Sequence, residues 1–428
     1  MKQGSFALAL AGALASLVIP LGASFNLPAL QGGGLITDPN SVRLLGFAVS
    51  LVAVLSVGIV GSRPIGGSLT LFACAEVLVI LLGFGGLVVL PVMLLGAAGI
   101  SGLMSVQSDS VDKDAAGPFG FRMPQAIALL MLVFLVTCLP FMLYPVFLMR
   151  LLCFALFACA FNLLLGYVGL MSFGHAAYFG MGSYVTAWTA KNWGLTPEIA
   201  ILLGGLTGGT LGLAFGKLAI RRQGIYFAMI TLALAQMNYF FCLQATDFTG
   251  GEDGIQQVPR GFLFGLFSLR SDLAMYCVVA VIFLVFFVLI HRTVHSPFGQ
   301  VLKAIRENEA RTTSLGYRVD DYKLIAFVLS CFIAGIAGGT KSIVFGIATL
   351  TDVNYGLSGE VVLMTLLGGL GTIFGPVVGA GVLVSLENYL AQAGSWPTVL
   401  QGAIFIICVL AFRRGIVGEV AARVGIRL

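Results

Sequence analysis

Long apolar runs, separated by glycine, proline or charged positions, dominate the chain from end to end. Scanning for them gives about fourteen membrane-spanning candidates, starting near residues 5, 43, 68, 90, 124, 148, 172, 198, 225, 273, 324, 358, 373 and 397, since a helix needs roughly 20 apolar residues to cross the hydrocarbon. The runs at 90–105 and 358–371 fall short of that length. They are expected to be tilted, broken or re-entrant elements, so between eleven and fourteen full spans are expected.

Polar interruptions divide the pattern. The stretch SVQSDSVDKDAAGPFGFR, residues 105–122, separates the first four runs from the rest. It predicts an N-terminal accessory bundle over 1–122 and a core over 123–428. Glu76, in the middle of an accessory run, has to face protein or water, because an exposed carboxylate is costly in lipid. The longest polar segment, His291 to Leu324, carries six Lys/Arg and four Asp/Glu. Within it Val301, Leu302 and Ile305 fall on one side of a helical turn pattern, and Lys303, Arg306, Glu307 and Glu309 on the other. Ser296 and Pro297 suit its start and Gly316 its end, so the pattern predicts one short amphipathic helix within 297–312.

Composition identifies the solvent. Hydrophobic residues make up 59% of the 428, charged residues 10%, and mean hydropathy is +1.03, values that fit an all-α, polytopic integral membrane protein with room for small loops only. In a soluble protein a net charge of +5 would invite a nucleic-acid reading. Here the cations fall in short loops, where they report orientation. With both termini cytoplasmic, about 17 of the 23 Lys and Arg lie inside, as the positive-inside tendency requires. Lys2 followed by an apolar run looks like a signal peptide; with so many later spans, an uncleaved first helix is expected.

The candidate chemistry is that of packing and passage. Ser172, Ala176 and Gly180 recur every fourth residue, and so do Gly204, Gly208, Gly212 and Gly216; both sets predict small helix faces against which a neighbouring backbone can close. His175 is an ionisable group inside an apolar run, for which a functional role and a structural hydrogen bond are equally open. The eight cysteines form no C-x-x-C pair and read as buried thiols. No metalloprotease, serine-hydrolase or metal-ligand pattern occurs. LGLAFGKL lacks both the first glycine and the final Ser or Thr of a phosphate loop, so the chain is not expected to hydrolyse ATP itself.

Five stretches share one likeness: GYVGLMSFGHAAYFGMGSY, GIYFAMITLALAQM, FTGGEDGI, LLGGLGTIFGPVVGA, and SPFGQVLKAIRENEARTTSLGYRVDDYKLIAFVLSCFIAGIAGG. From about Phe161 to Gly381 the chain resembles LIV-type (branched-chain amino acid) ABC importer permeases of the M-subunit class. The resemblance implies a bacterial inner-membrane permease subunit without a cofactor of its own. Its implied partners are an H-type permease, two ATPase subunits that hold ATP and Mg, a periplasmic substrate-binding protein and membrane lipid, with no nucleic acid. It places Ser296, Pro297, Arg306, Glu307, Asn308, Glu309 and Gly316 in the segment that meets the ATPase, with 291–323 as the coupling loop. It matches Ser172 and His175 to the family's S-x-G-H pattern near the pathway; Phe173, Phe227, Met229, Thr231 and Glu360 are the further candidates for the translocation pathway or gate. The implied solutes are branched-chain or related hydrophobic amino acids; urea, short amides and aromatic acids are the alternatives within the same machinery. An ion-coupled secondary transporter is the more distant rival, for which Lys341, Glu360 and Glu387 are the candidate coupling groups.

Overall fold

The computed structural model describes residues 132–137, 139–141, 143–263, 265, 267–390, 402, 406 and 415–424. Residues 146–423 form one compact unit, and every contact below lies within it. The accessory bundle, its boundary after residue 122, Glu76 and the runs starting near 5, 43, 68, 90 and 397 lie outside the described residues, as does most of the run starting near 124.

Helices build the unit in chain order: α1 (Pro145–Tyr167), α2 (His175–Asn192), α3 (Pro197–Ala219), α4 (Ile225–Gln244), α5 (Asp272–His295), α6 (Pro297–Glu307), α7 (Glu309–Ser314), α8 (Val319–Phe345), α9 (Tyr355–Gly368), α10 (Gly375–Leu390) and α11 (Gly415–Val424). Among the described residues, α1, α3, α4, α5 and α8 are long and apolar enough to cross a membrane. The expected runs at 172, 358 and 373 become shorter or more polar helices. The 18-residue α2 carries His175, Ser183, Thr186 and Thr189, all buried. A helix with that content is held at membrane depth by protein on all sides, since lipid offers its polar groups no partners. The helices α9 and α10 are 14 and 16 residues long and pack against each other as a hairpin.

The α2 helix also begins later than its hydropathy suggests. Gly169 has φ +83°, and the N–H groups of Val168, Gly169 and Leu170 all turn back to the Leu164 carbonyl, which ends α1 and opens an irregular loop over 168–174. Ser172 therefore precedes the helix instead of joining Ala176 and Gly180 on its face, and its Oγ accepts the Gly174 N–H at 3.3 Å.

Small residues set the centre of the fold. A Cβ added to Gly182 would lie 2.6 Å from the Gly335 Cα, one on Gly335 would lie 2.6 Å from the Gly204 carbonyl oxygen, and one on Gly208 would lie 2.6 Å from the Cys331 carbonyl oxygen. The backbones of α2, α3 and α8 thus meet directly, the form of association available to helices that gain nothing from leaving lipid. Gly212 and Gly216 continue the stripe against Cys331 and against Leu324 and Phe327 of α8. The outward faces of α4 and α5 expose Ile225, Met229, Met237, Phe240, Val281 and Val285, side chains suited to hydrocarbon.

One end of the unit carries short antiparallel ribbons, β1 (Ile255–Gln256) on β4 (Ile347–Ala348) and β2 (Phe262–Leu263) on β3 (Phe267–Ser268). There Arg260 donates to Asp272 at 2.7 Å and to the Val344 carbonyl at 3.2 Å, and Lys191 donates to the Gln256 carbonyl at 2.8 Å. The opposite end carries α6 and α7, on the N-terminal side of α8.

Candidate functional site

The polar segment between α5 and α8 folds as two helices. Ser296 caps α6, its Oγ accepting the Gly299 N–H at 3.3 Å, and Pro297 follows at the first helical position with its φ already suited to a helix. Leu302 and Ile305 are buried and Val301 half-buried, as the amphipathic pattern requires. The single helix expected over 297–312 is interrupted at Asn308, which is extended (φ −159°, ψ 101°) and whose Oδ1 accepts the Arg311 N–H at 3.0 Å. Asn308 is therefore the N-cap of α7, because its short side chain offers the backbone a better acceptor here than continued helix would. Gly316, at φ +90°, ends α7 in the left-handed region.

Residues expected to face a partner divide into two groups. Arg306 turns inward: its stem lies against Gly169, and Nη1 donates to the Gly166 carbonyl in the last turn of α1. It supplies a cation and a donor where a helix leaves carbonyls unpaired and its dipole is negative. Beside it, Asn162 of α1 donates to the Thr372 carbonyl at 2.9 Å and accepts the Gly371 N–H at 3.2 Å. One node thus joins α6, the end of α1 and the α9–α10 turn. Glu309 also turns inward, 2.6 Å from Nζ of the buried Lys323 and accepting from Gln223 Nε2 at 2.8 Å. Glu307, Ala310 and Arg311 stay exposed, together with Leu315 and Tyr317. These last two apolar residues flank Gly316 in an otherwise polar loop. That incongruity was their only signal in the sequence.

Above the node, Ser172, Phe173, His175 and Thr231 come together. The Phe173 N–H donates to Thr231 Oγ1 at 3.2 Å, and a Cβ at Gly174 would sit 2.6 Å from the Thr231 carbonyl oxygen. His175 opens α2; its Nε2 is 2.9 Å from Ser330 Oγ, which donates to the Ala160 carbonyl at 2.5 Å. With the serine proton committed, Nε2 carries the imidazole hydrogen and the buried Nδ1 has no hydrogen-bond partner among the described residues. Phe161, Tyr178 and Phe327 meet the ring edge-on at centroid distances of 5.0, 5.7 and 5.9 Å. Phe227 joins through Phe327, 5.9 Å away. Ser172, His175, Phe227 and Thr231 are all buried, Phe173 is half-buried and Met229 is exposed. The cluster is a packed set of aromatic rings around one buried histidine.

Glu360 stands apart. It lines a cavity of about 550 Å³ with Arg150, Lys341, Asp352 and Glu387. Lys341 pairs with Asp352, and Arg150 Nη2 lies 2.9 Å from Glu387 Oε2, so the rival coupling groups Lys341 and Glu387 each have an internal partner. Asn162, Ser330 and Asp352 were not anticipated as site residues. For Asn162 the signal was present, as a lone amide in an apolar run; for the other two only the fold reveals the pairing.

Residues 144–409 match the model of the family described as branched-chain amino acid transport system / permease component. The high-affinity branched-chain amino acid transport system permease protein LivM of Salmonella typhimurium is 26% identical over 271 residues, 58% of this chain and 64% of the relative. LivM of Escherichia coli matches to the same extent. The probable branched-chain amino acid transport permease protein LivH of Methanocaldococcus jannaschii is 24% identical over 257 residues, 56% of this chain and 78% of the relative. The match thus spans just under two thirds of the length of the two LivM relatives. No solved structure matches the chain.

Proposed function

The chain belongs to the branched-chain amino acid transport system permease family, and from that premise we propose that it is the M-type permease subunit of an ATP-driven importer. It moves branched-chain or related hydrophobic amino acids from a periplasmic binding protein into the cytoplasm, paired with an H-type permease and driven by two ATPase subunits that hold ATP and Mg. It lies in the bacterial inner membrane with α6–α7 and both termini cytoplasmic, and with the β-ribbon end facing the binding protein.

The observation that carries the reading is the α6–α7 segment. Its apolar underside, Leu302 and Ile305, is buried against the bundle, while Glu307, Arg311, Leu315 and Tyr317 form an outward ledge of mixed charge and apolar surface that a cytoplasmic partner can grip. Force applied to that ledge has a short route inward. Arg306 ties α6 to the carbonyl end of α1, and Asn162 ties α1 to the α9–α10 turn. Displacement of α6 therefore loads the loop over 168–174 and the His175 cluster above it.

The test is assembly and energy coupling. Co-expressed with its H-type and ATPase subunits, the chain should purify as a complex. In vesicles with the binding protein, uptake of labelled leucine should require ATP. Leucine uptake by the chain alone, driven by an ion gradient without ATP, would refute the reading.

A further inference from the structure

At the end of the unit opposite α6–α7, the recess of about 550 Å³ lies among α1, α8, α9, α10 and the turn after β4. Small-molecule sites commonly occupy about 300 to 1,000 Å³ and combine apolar walls with a few placed polar groups. The walls here include Phe154, Phe345 and Leu357. The charged groups comprise two cations, Arg150 and Lys341, and three carboxylates, Asp352, Glu360 and Glu387. Arg150–Glu387 and Lys341–Asp352 are ion pairs; no ion pair is formed by Glu360 among the described residues. With both cations paired to Glu387 and Asp352, the third carboxyl, Glu360, stands in a partly enclosed, partly apolar space with no cation of its own among the described residues. Ionising a carboxyl so placed is costly until a partner of opposite sign arrives.

We propose that this recess is a binding station for the protonated amine of a solute with an apolar body, with Glu360 receiving the ammonium group and Phe154, Phe345 and Leu357 receiving the apolar part. The inference rests on the importer reading above and deepens it by locating a selective step in the permease chain itself instead of leaving all discrimination to a binding protein. It also separates the solute classes open to that machinery. An amino acid brings the required positive group, whereas urea brings none and an aromatic acid without an amine brings only a further negative charge.

The test uses the full-length chain in lipid nanodiscs, without binding protein, and measures saturable binding of radiolabelled L-leucine displaced by isopentylamine or by 4-methylpentanoate. These competitors share a branched apolar body, and one keeps the amine while the other keeps the carboxylate. Isopentylamine should displace leucine and 4-methylpentanoate should not. Glu360→Gln should weaken leucine binding by about ten-fold or more, the scale of a lost charge-assisted hydrogen bond, and Glu360→Asp should keep the preference for the amine. If the glutamine variant does not elute as a single species, the two competitors on the wild-type chain decide alone. Absence of saturable leucine binding, unchanged binding by the glutamine variant, or equal displacement by both competitors would overturn the proposal. Co-purification of Glu360→Gln with the ATPase subunits is measured in parallel. An intact complex with failed amine selection sinks the station alone, and amine selection without a complex sinks the importer reading alone.

Discussion

Arg306 distinguishes an internal brace from a simple docking contact. Replacing it with Met keeps most of the apolar stem against Gly169 but removes the donor to the Gly166 carbonyl. A hydrogen bond to a charged group contributes about 1.5 to 3 kcal/mol and a cation at a helix C-terminus about 0.3 to 1 kcal/mol. Arg306 as a whole is exposed, so solvent screening favours the lower end, and about 1.5 to 2 kcal/mol of local stability should go. At about 1.4 kcal/mol per factor of ten, that is roughly a 10- to 30-fold rise in the local opening constant. The assay is amide hydrogen exchange over 166–174 in the purified chain, with no ATPase present. Arg306→Met should accelerate exchange there by that factor, while Glu307→Gln, at an exposed position one residue on, should not. Equal exchange in the wild type and Arg306→Met, or an equal effect from Glu307→Gln, would refute the brace and return Arg306 to a docking role visible only in the complex.

Three further outcomes are expected. Gly208→Leu should prevent recovery of monodisperse protein in detergent, because a Cβ alone already reaches 2.6 Å from the Cys331 carbonyl oxygen and overpacking typically costs about 1 to 3 kcal/mol or more; wild-type yield and melting temperature would contradict the contact. Glu309→Gln should lower the melting temperature by leaving the buried Lys323 without its anion, at a cost of about 1 to 3 kcal/mol given the partial exposure of Glu309. A second change, Lys323→Met, should recover part of that loss, and a double variant less stable than Glu309→Gln would count against it. A cysteine placed at Asn308 should react with an impermeant reagent only in inverted vesicles, and one at Glu252 only in spheroplasts; the reverse pattern would invert the topology.

Hydropathy announced the membrane, and the helices begin close to their runs because transfer to lipid sums residue by residue along the chain. The starts near 148, 198, 225 and 273 match helices beginning at Pro145, Pro197, Ile225 and Asp272. Local chemistry likewise marked Ser296 and Pro297 as a helix start and Gly316 as a stop, since caps and left-handed termini depend on neighbours a few residues away. What lay beyond the sequence was direction. Arg306 and Glu307 are equivalent in a charge pattern, yet the first turns to a carbonyl 140 residues earlier and the second to solvent. Asn162 finds its partners 209 and 210 residues away, and among the described residues Glu360 is left without an ion pair because the fold pairs the other charges around it. Apolar burial is proportional to surface and so is nearly additive along the chain. A hydrogen bond or ion pair exists only when two particular atoms meet, and only the tertiary packing of α1, α6, α8, α9 and α10 decides which do.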